Sequence, residues 1–158
     1  MLFLKNLLFT ILVPGTVAVY LPLLITRGRG ISSNPLGLAI GILLLILGAA
    51  IYSWTVWDFA TIGKGTPLPL DAPKKLVVRG LYRYTRNPMY LGVILVILGW
   101  TGVFTDGWLL VYVLGVCIAV HLFVVLYEEP RLQELFREEY EAYRRSVGRW
   151  VPRIPTRG

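Results

Sequence analysis

Apolar residues gather in four long runs along this chain, and polar residues fall almost wholly between them. The runs cover about residues 2–25, 36–60, 89–104 and 108–127. A bilayer's hydrocarbon takes ~20 apolar helical residues to cross, so the pattern predicts transmembrane helices, the third short for a full span. The local punctuation agrees. Lys5 sits near the start of the first run, Pro14 lies inside it, and Arg27-Gly28-Arg29-Gly30 ends it. Asn34-Pro35 is a helix-start signal ahead of the second. That run closes on Tyr52, Trp54, Trp57 and Phe59, rings suited to a membrane–water interface, where Asp58 is also expected. Thr105-Asp106-Gly107 is a turn that folds the third and fourth runs into a tight hairpin. The first run lacks a clear cleavage site and exceeds a signal peptide's apolar core, so a retained membrane helix is expected. The fold class is all-α: a polytopic membrane helical bundle of about four transmembrane helices, in one membrane-embedded domain over residues 1–158.

The polar segments carry their own signals. Residues 61–87 hold Gly63, Gly65, Pro67, Pro69 and Pro73, which excludes regular helix from the first half. Beyond the fourth run, Pro130 is placed to open a new helix. Leu132, Leu135, Phe136, Tyr140, Tyr143 and Val147 then share one face, and Glu141 is spaced to pair with Arg145. This is a C-terminal cytosolic amphipathic helix, lying on the membrane or on the protein's own cytosolic surface.

Composition supports the membrane reading. Of 158 residues, 56% are apolar, above the ~45–50% usual even with glycine counted, and the mean hydropathy is +0.65. The net charge of +7 raises nucleic acid as a partner. The bases, however, sit in short segments at 64–86 and 131–157, which four spans place on one side. That pattern reads as positive-inside topology facing anionic headgroups, with no nucleic acid, and it puts the C-terminus in the cytosol. Arg27 and Arg29 then lie outside, a mild violation. With one cysteine, Cys117, and one histidine, His121, the chain has no intrachain disulfide and no metal site.

Two stretches carry candidate chemistry. Glu128 and Glu129 end the fourth run, where carboxylates are costly unless they face protein or water. They also oppose the helix dipole, so a liganding role competes with that of a plain boundary. Arg86-Asn87-Pro88-Met89-Tyr90-Leu91-Gly92 opens the third run. A helix start explains Asn87 as N-cap and Pro88 at the first turn. It leaves Tyr90 and Gly92 over, and glycine lets a backbone or ligand approach closely. An antiparallel hairpin brings Asn87, Tyr90 and Glu128 to the same cytosolic end. His121, one to two turns before Glu128, reads first as a packing residue. No nucleophile arrangement, P-loop or dinucleotide fingerprint is present.

These residues resemble the isoprenylcysteine carboxyl methyltransferases and their relatives, the phospholipid N-methyltransferases. The shared pattern is the Arg86–Gly92 motif, an apolar hairpin, Glu128-Glu129, and the aromatic-basic helix through Phe136, Tyr140 and Tyr143, preceded by Leu76-Val77-Val78-Arg79-Gly80-Leu81-Tyr82. The resemblance covers about residues 74–155. It implies S-adenosylmethionine as cofactor, met by Lys74, Lys75, Leu76 and Val77 mainly through backbone. Tyr82, Asn87, Pro88, Met89 and Tyr90 would line the pocket, and Glu128 would bind the cofactor's polar end. Asn87 stands where the isoprenylcysteine enzymes have histidine, as in the phospholipid branch. Val124 stands where they have an arginine for the substrate carboxylate, which argues against a carboxylate acceptor.

Methyl transfer needs alignment and exclusion of water more than acid–base groups. The acceptor would be a lipophilic molecule entering from the bilayer, a phospholipid amine or an isoprenoid thiol or carboxylate. Glu129 or His121 would assist as catalytic groups by taking a proton from an amine. Two other readings stay open. Membrane sterol reductases that use NADPH have a similar C-terminal half, echoed by Arg149-Trp150-Val151-Pro152-Arg153-Ile154-Pro155. A non-catalytic protein binding anionic membrane lipids would explain the charge and the amphipathic helix but leave Glu128 without a role.

Overall fold

The computed structural model describes residues 8–63 and 75–153, and among them there are helices and no strand. Helix α1, Leu8–Ile25, is wound as a π-helix over Ile11–Tyr20. Pro14 lies inside that stretch; it has no N–H to donate, and a widened turn absorbs the loss. Helix α2, Pro35–Asp58, opens on Asn34, whose Oδ1 accepts from the Leu36 and Gly37 amides at 3.1 and 3.3 Å. A π turn, Phe59–Gly63, extends it. Helix α3, Pro88–Phe104, is about 25 Å long at 1.5 Å per residue, short of the hydrocarbon thickness as its sequence predicts. Thr105 takes a left-handed conformation after α3, and Asp106 caps α4, Gly107–Phe123, by accepting from the Trp108 amide at 2.9 Å.

Pro130 does not break the chain into two helices. Helix α4 runs through a π turn, Val124–Glu128, into α5, Glu129–Ser146, without a break at Pro130. The π turn just ahead of the proline takes up its missing donor, and the expected fresh helix start is replaced by continuity. By length and composition α1, α2 and α4 are able to cross a membrane; the apolar span of the last ends near Tyr127.

Helices α2 and α3 pack backbone to backbone. A Cβ at Gly48 would stand 2.6 Å from the Gly92 carbonyl oxygen, and one at Gly41 2.7 Å from that of Gly99. Small residues at such a seam let helices associate in lipid, where no hydrophobic effect drives them together. Gly92 thus serves approach by a backbone, not by a ligand. Ala18, Val93, Ile97, Val113 and Val116 form the core among α1, α3 and α4, while Leu43, Ile46, Leu114 and Leu126 point outward as lipid-facing residues do.

At the far end Arg29 pairs with Asp106 at 2.6 Å, which offsets one of the two bases against the charge rule there. At the other end α5 lays Tyr140, Tyr143 and Val147 against Leu76, so its apolar face covers the protein rather than the bilayer. Glu141 pairs with Arg144 at 3.2 Å, not with Arg145: a three-residue step replaces the expected four. Arg137, at φ 42°, kinks α5 midway.

Candidate functional site

The turn before α3 and the end of α4 meet at one end of the bundle, as an antiparallel hairpin requires. Between them lies a cavity of about 130 Å³. Tyr82, Arg86, Asn87, Met89 and Tyr90 line it from the α3 side, Glu128 and Val120 from α4, Tyr52 and Phe59 from α2, and Val13, Pro14 and Val17 from α1.

Each wall has a local cause. Gly80 adopts φ 58° and leads into a 3-10 turn, Gly80–Arg83, that buries Tyr82. The same glycine lets the backbone lie on the Asp58 carboxylate, which is buried and, among the described residues, has no hydrogen-bond partner at Oδ2. The Tyr143 hydroxyl donates to the Tyr82 carbonyl at 2.7 Å. Asn87 precedes Pro88, but its side chain does not cap α3; Nδ2 donates to the Arg149 carbonyl at 3.1 Å. The Arg86 amide donates to the Gly148 carbonyl at 2.9 Å, and the Arg153 amide to that of Tyr84. Residues 147–153 therefore clamp residues 84–87 from outside.

The two glutamates face different surroundings. The Tyr90 hydroxyl donates to Glu128 Oε2 at 2.8 Å, and among the described residues no base lies within ion-pair distance of that carboxylate. Glu129 is held by two arginines. Arg149 binds it through both Nε and Nη2 at 2.8 Å, and Arg86 Nη1 lies 3.1 Å away. Burial alone would raise the Glu129 carboxyl, but the Arg149 hydrogen bonds and the charges of Arg86 and Arg149 outweigh it and hold it below the ordinary range. The Arg149 guanidinium is in turn pushed up by that bond. Burial, aided by the charge of Glu128, pushes the Tyr82 phenol well up, so it stays neutral.

Not every expected residue reaches the cavity. Glu129 and His121 do not line it; His121 is exposed and its Nδ1 accepts from Trp150 Nε1 at 3.1 Å. Pro88 is buried behind the lining, Val77 is buried, Leu76 packs on α5, and Lys75 is exposed. Lys74 lies outside the described residues. Arg86 was legible as part of the motif but not as a cavity wall, and the long-range partners Arg149 and Tyr140 carry no local signal.

A second, almost wholly apolar groove adjoins the cavity. It runs between α1 and α2 over Val96 and Trp100 of α3, and shares Pro14, Tyr52 and Val93 with the cavity. The Tyr52 and Thr10 hydroxyls, 3.0 Å apart, link α1 to α2 at this boundary.

Fold and site together define a polytopic membrane protein with a charged cavity at one end, joined to an apolar groove. The family model for phospholipid methyltransferases matches residues 36–139, which take in α2, the hairpin, both glutamates and most of α5. The chain belongs to that family, whose members are membrane methyltransferases acting on lipid. No curated protein and no solved structure matches it.

Proposed function

We propose that the protein transfers a methyl group from S-adenosylmethionine to the amine of a phospholipid at the cytosolic face. The observation that carries this is Glu128: a carboxylate fixed by Tyr90 at 2.8 Å, lining a cavity, with no cation beside it among the described residues. Such a group is left waiting for a ligand's cation. The chemistry supplied by the donor, when bound, is an electrophilic sulfonium methyl.

The chain's own residues do the rest. Glu128 holds the donor's ammonium, and Tyr90 fixes the carboxylate. Tyr82, kept neutral, presents a ring that favours a cation without offering a competing nucleophile. Met89 and Val93 wall off water, which would otherwise compete for the methyl. The groove between α1 and α2 takes an acyl chain of the acceptor and leads its headgroup past Tyr52. Glu129, a weak base between two arginines, positions Arg86. Val124 is fully buried and lines neither the cavity nor the groove, so its position supplies no base for a carboxylate acceptor. The bases at 75–86 and 131–149 gather at the cavity's end of the molecule and favour the cytosolic side.

Calorimetry of the purified protein in detergent tests the donor. Titration with S-adenosylmethionine should give saturable heat and NADPH none, and Glu128→Ala should abolish the binding. Unchanged affinity in that variant would remove Glu128 from the site.

A further inference from the structure

Glu128 accounts for one charge at the cavity; Arg86 supplies another that the reading above leaves unused. Arg86 lines the same cavity, and its side chain is only 9% exposed. Its contacts with Glu129, at 3.1 Å, and with the Tyr140 hydroxyl, at 3.4 Å, both use Nη1. Its Nε is buried with no hydrogen-bond partner among the described residues. Buried N–H groups are rarely left so, because the lost hydration is not repaid.

The charges around it do not cancel. Glu129 is shared by Arg86 and Arg149, and Arg149 takes both its oxygens. Two guanidiniums on one carboxylate leave a surplus positive charge, and the cavity-lining member of the pair is Arg86. The cavity therefore meets one unmatched carboxylate, Glu128, and one under-used guanidinium. That pair complements a zwitterion.

We propose that Arg86 is a specificity-determining residue that binds the α-carboxylate of the methyl donor's amino-acid end, while Glu128 takes its ammonium. Glu129 and Arg149 act as positioning residues that hold Arg86 in place. The inference rests on the donor proposed above. A lipid phosphodiester is the other oxyanion that could meet this guanidinium, and the experiment separates the two.

The probe is a pair of compounds, S-adenosylmethionine and its decarboxylated analogue, titrated calorimetrically into the wild type, Arg86→Gln and Arg86→Lys. Wild type should prefer the intact donor by roughly tenfold to a hundredfold, the value of a charge-assisted bond. Arg86→Gln should lose that factor for the intact donor and keep its affinity for the analogue, so the preference collapses. Arg86→Lys, which keeps the charge without the fork, should retain part of it. If Arg86→Gln does not fold, the lysine variant and the wild-type preference carry the test.

A variant that weakens both compounds equally is a structural staple and overturns the inference. So does a wild type that binds both compounds equally; that result leaves the donor assignment standing. A wild type that binds neither overturns the donor assignment and the inference with it. A preference unchanged in Arg86→Gln, with a raised KM for phospholipid in the transfer assay, assigns the residue to the lipid phosphate and overturns the carboxylate.

Discussion

Glu128 and Glu129 are neighbours in sequence and opposites in environment. Successive helical residues point about 100° apart, so one turns into the cavity and the other toward Arg149. The cavity-facing carboxylate meets a tyrosine; the other meets two guanidiniums, which hold it below the ordinary carboxylate range. A carboxyl depressed by folding adds stability that is present above its unfolded pKa and is lost as pH falls through its folded one. Glu129→Gln should therefore cost about 2–3 kcal/mol at pH 7, and the difference should shrink as pH falls below the ordinary carboxylate range. Thermal unfolding of both proteins in detergent across pH 3–8 measures it. A gap that stays constant or widens toward low pH would show that the ion pair is not its source. The glutamate pair was legible in the sequence as a place where ligand chemistry concentrates. The resemblance pointed to Glu128 as the pocket-facing member; that Glu129 is held by two arginines was not legible, because Arg149 reaches it across a helix and a turn.

At the scale of elements, the α2–α3 seam sets where the cavity can be. Gly41, Gly48, Gly92 and Gly99 bring the two backbones into contact, so Asn87 and Tyr90 are held against the end of α2 that carries Tyr52 and Phe59. Gly48→Ala should destabilise the protein by about 1–3 kcal/mol, since its Cβ would meet the Gly92 carbonyl oxygen and Val96. Gly115→Ala, with open space around it, should be neutral or slightly stabilising. Equal melting temperatures for the two variants in detergent would disprove the seam. The seven-residue spacing of these glycines stands in the sequence on both helices, yet only Gly92 drew notice, because its partner lies on another helix. The apolar runs located the helices, since lipid forces each run to satisfy its own backbone. The π turns at Pro14 and before Pro130 were not legible: proline signals a lost donor, and whether the helix breaks or widens depends on what packs around it.

For the molecule as a whole, the arrangement joins two solvents. The clamp of residues 147–153 holds residues 84–87 at the cavity's polar end, and the apolar groove between α1 and α2 adjoins the cavity on the side of the membrane helices. Pairing at one end of the hairpin followed from the order of the helices, so the meeting of Asn87, Tyr90 and Glu128 could be read from the chain. The contribution of α1, which adds Val13, Pro14 and Val17 to the cavity and most of one wall to the groove, could not, since an apolar helix facing lipid and one facing a substrate carry the same residues. The central claim is that a water-borne methyl donor and a bilayer-borne amine meet in this cavity. Its most direct measurement uses the purified protein in vesicles of phosphatidylethanolamine with methyl-labelled S-adenosylmethionine in the aqueous phase. The expected result is label in the lipid headgroup with wild type and background label with Glu128→Ala. Folded, donor-binding protein that leaves all label in the water, or a Glu128→Ala variant that transfers as well as wild type, would contradict it.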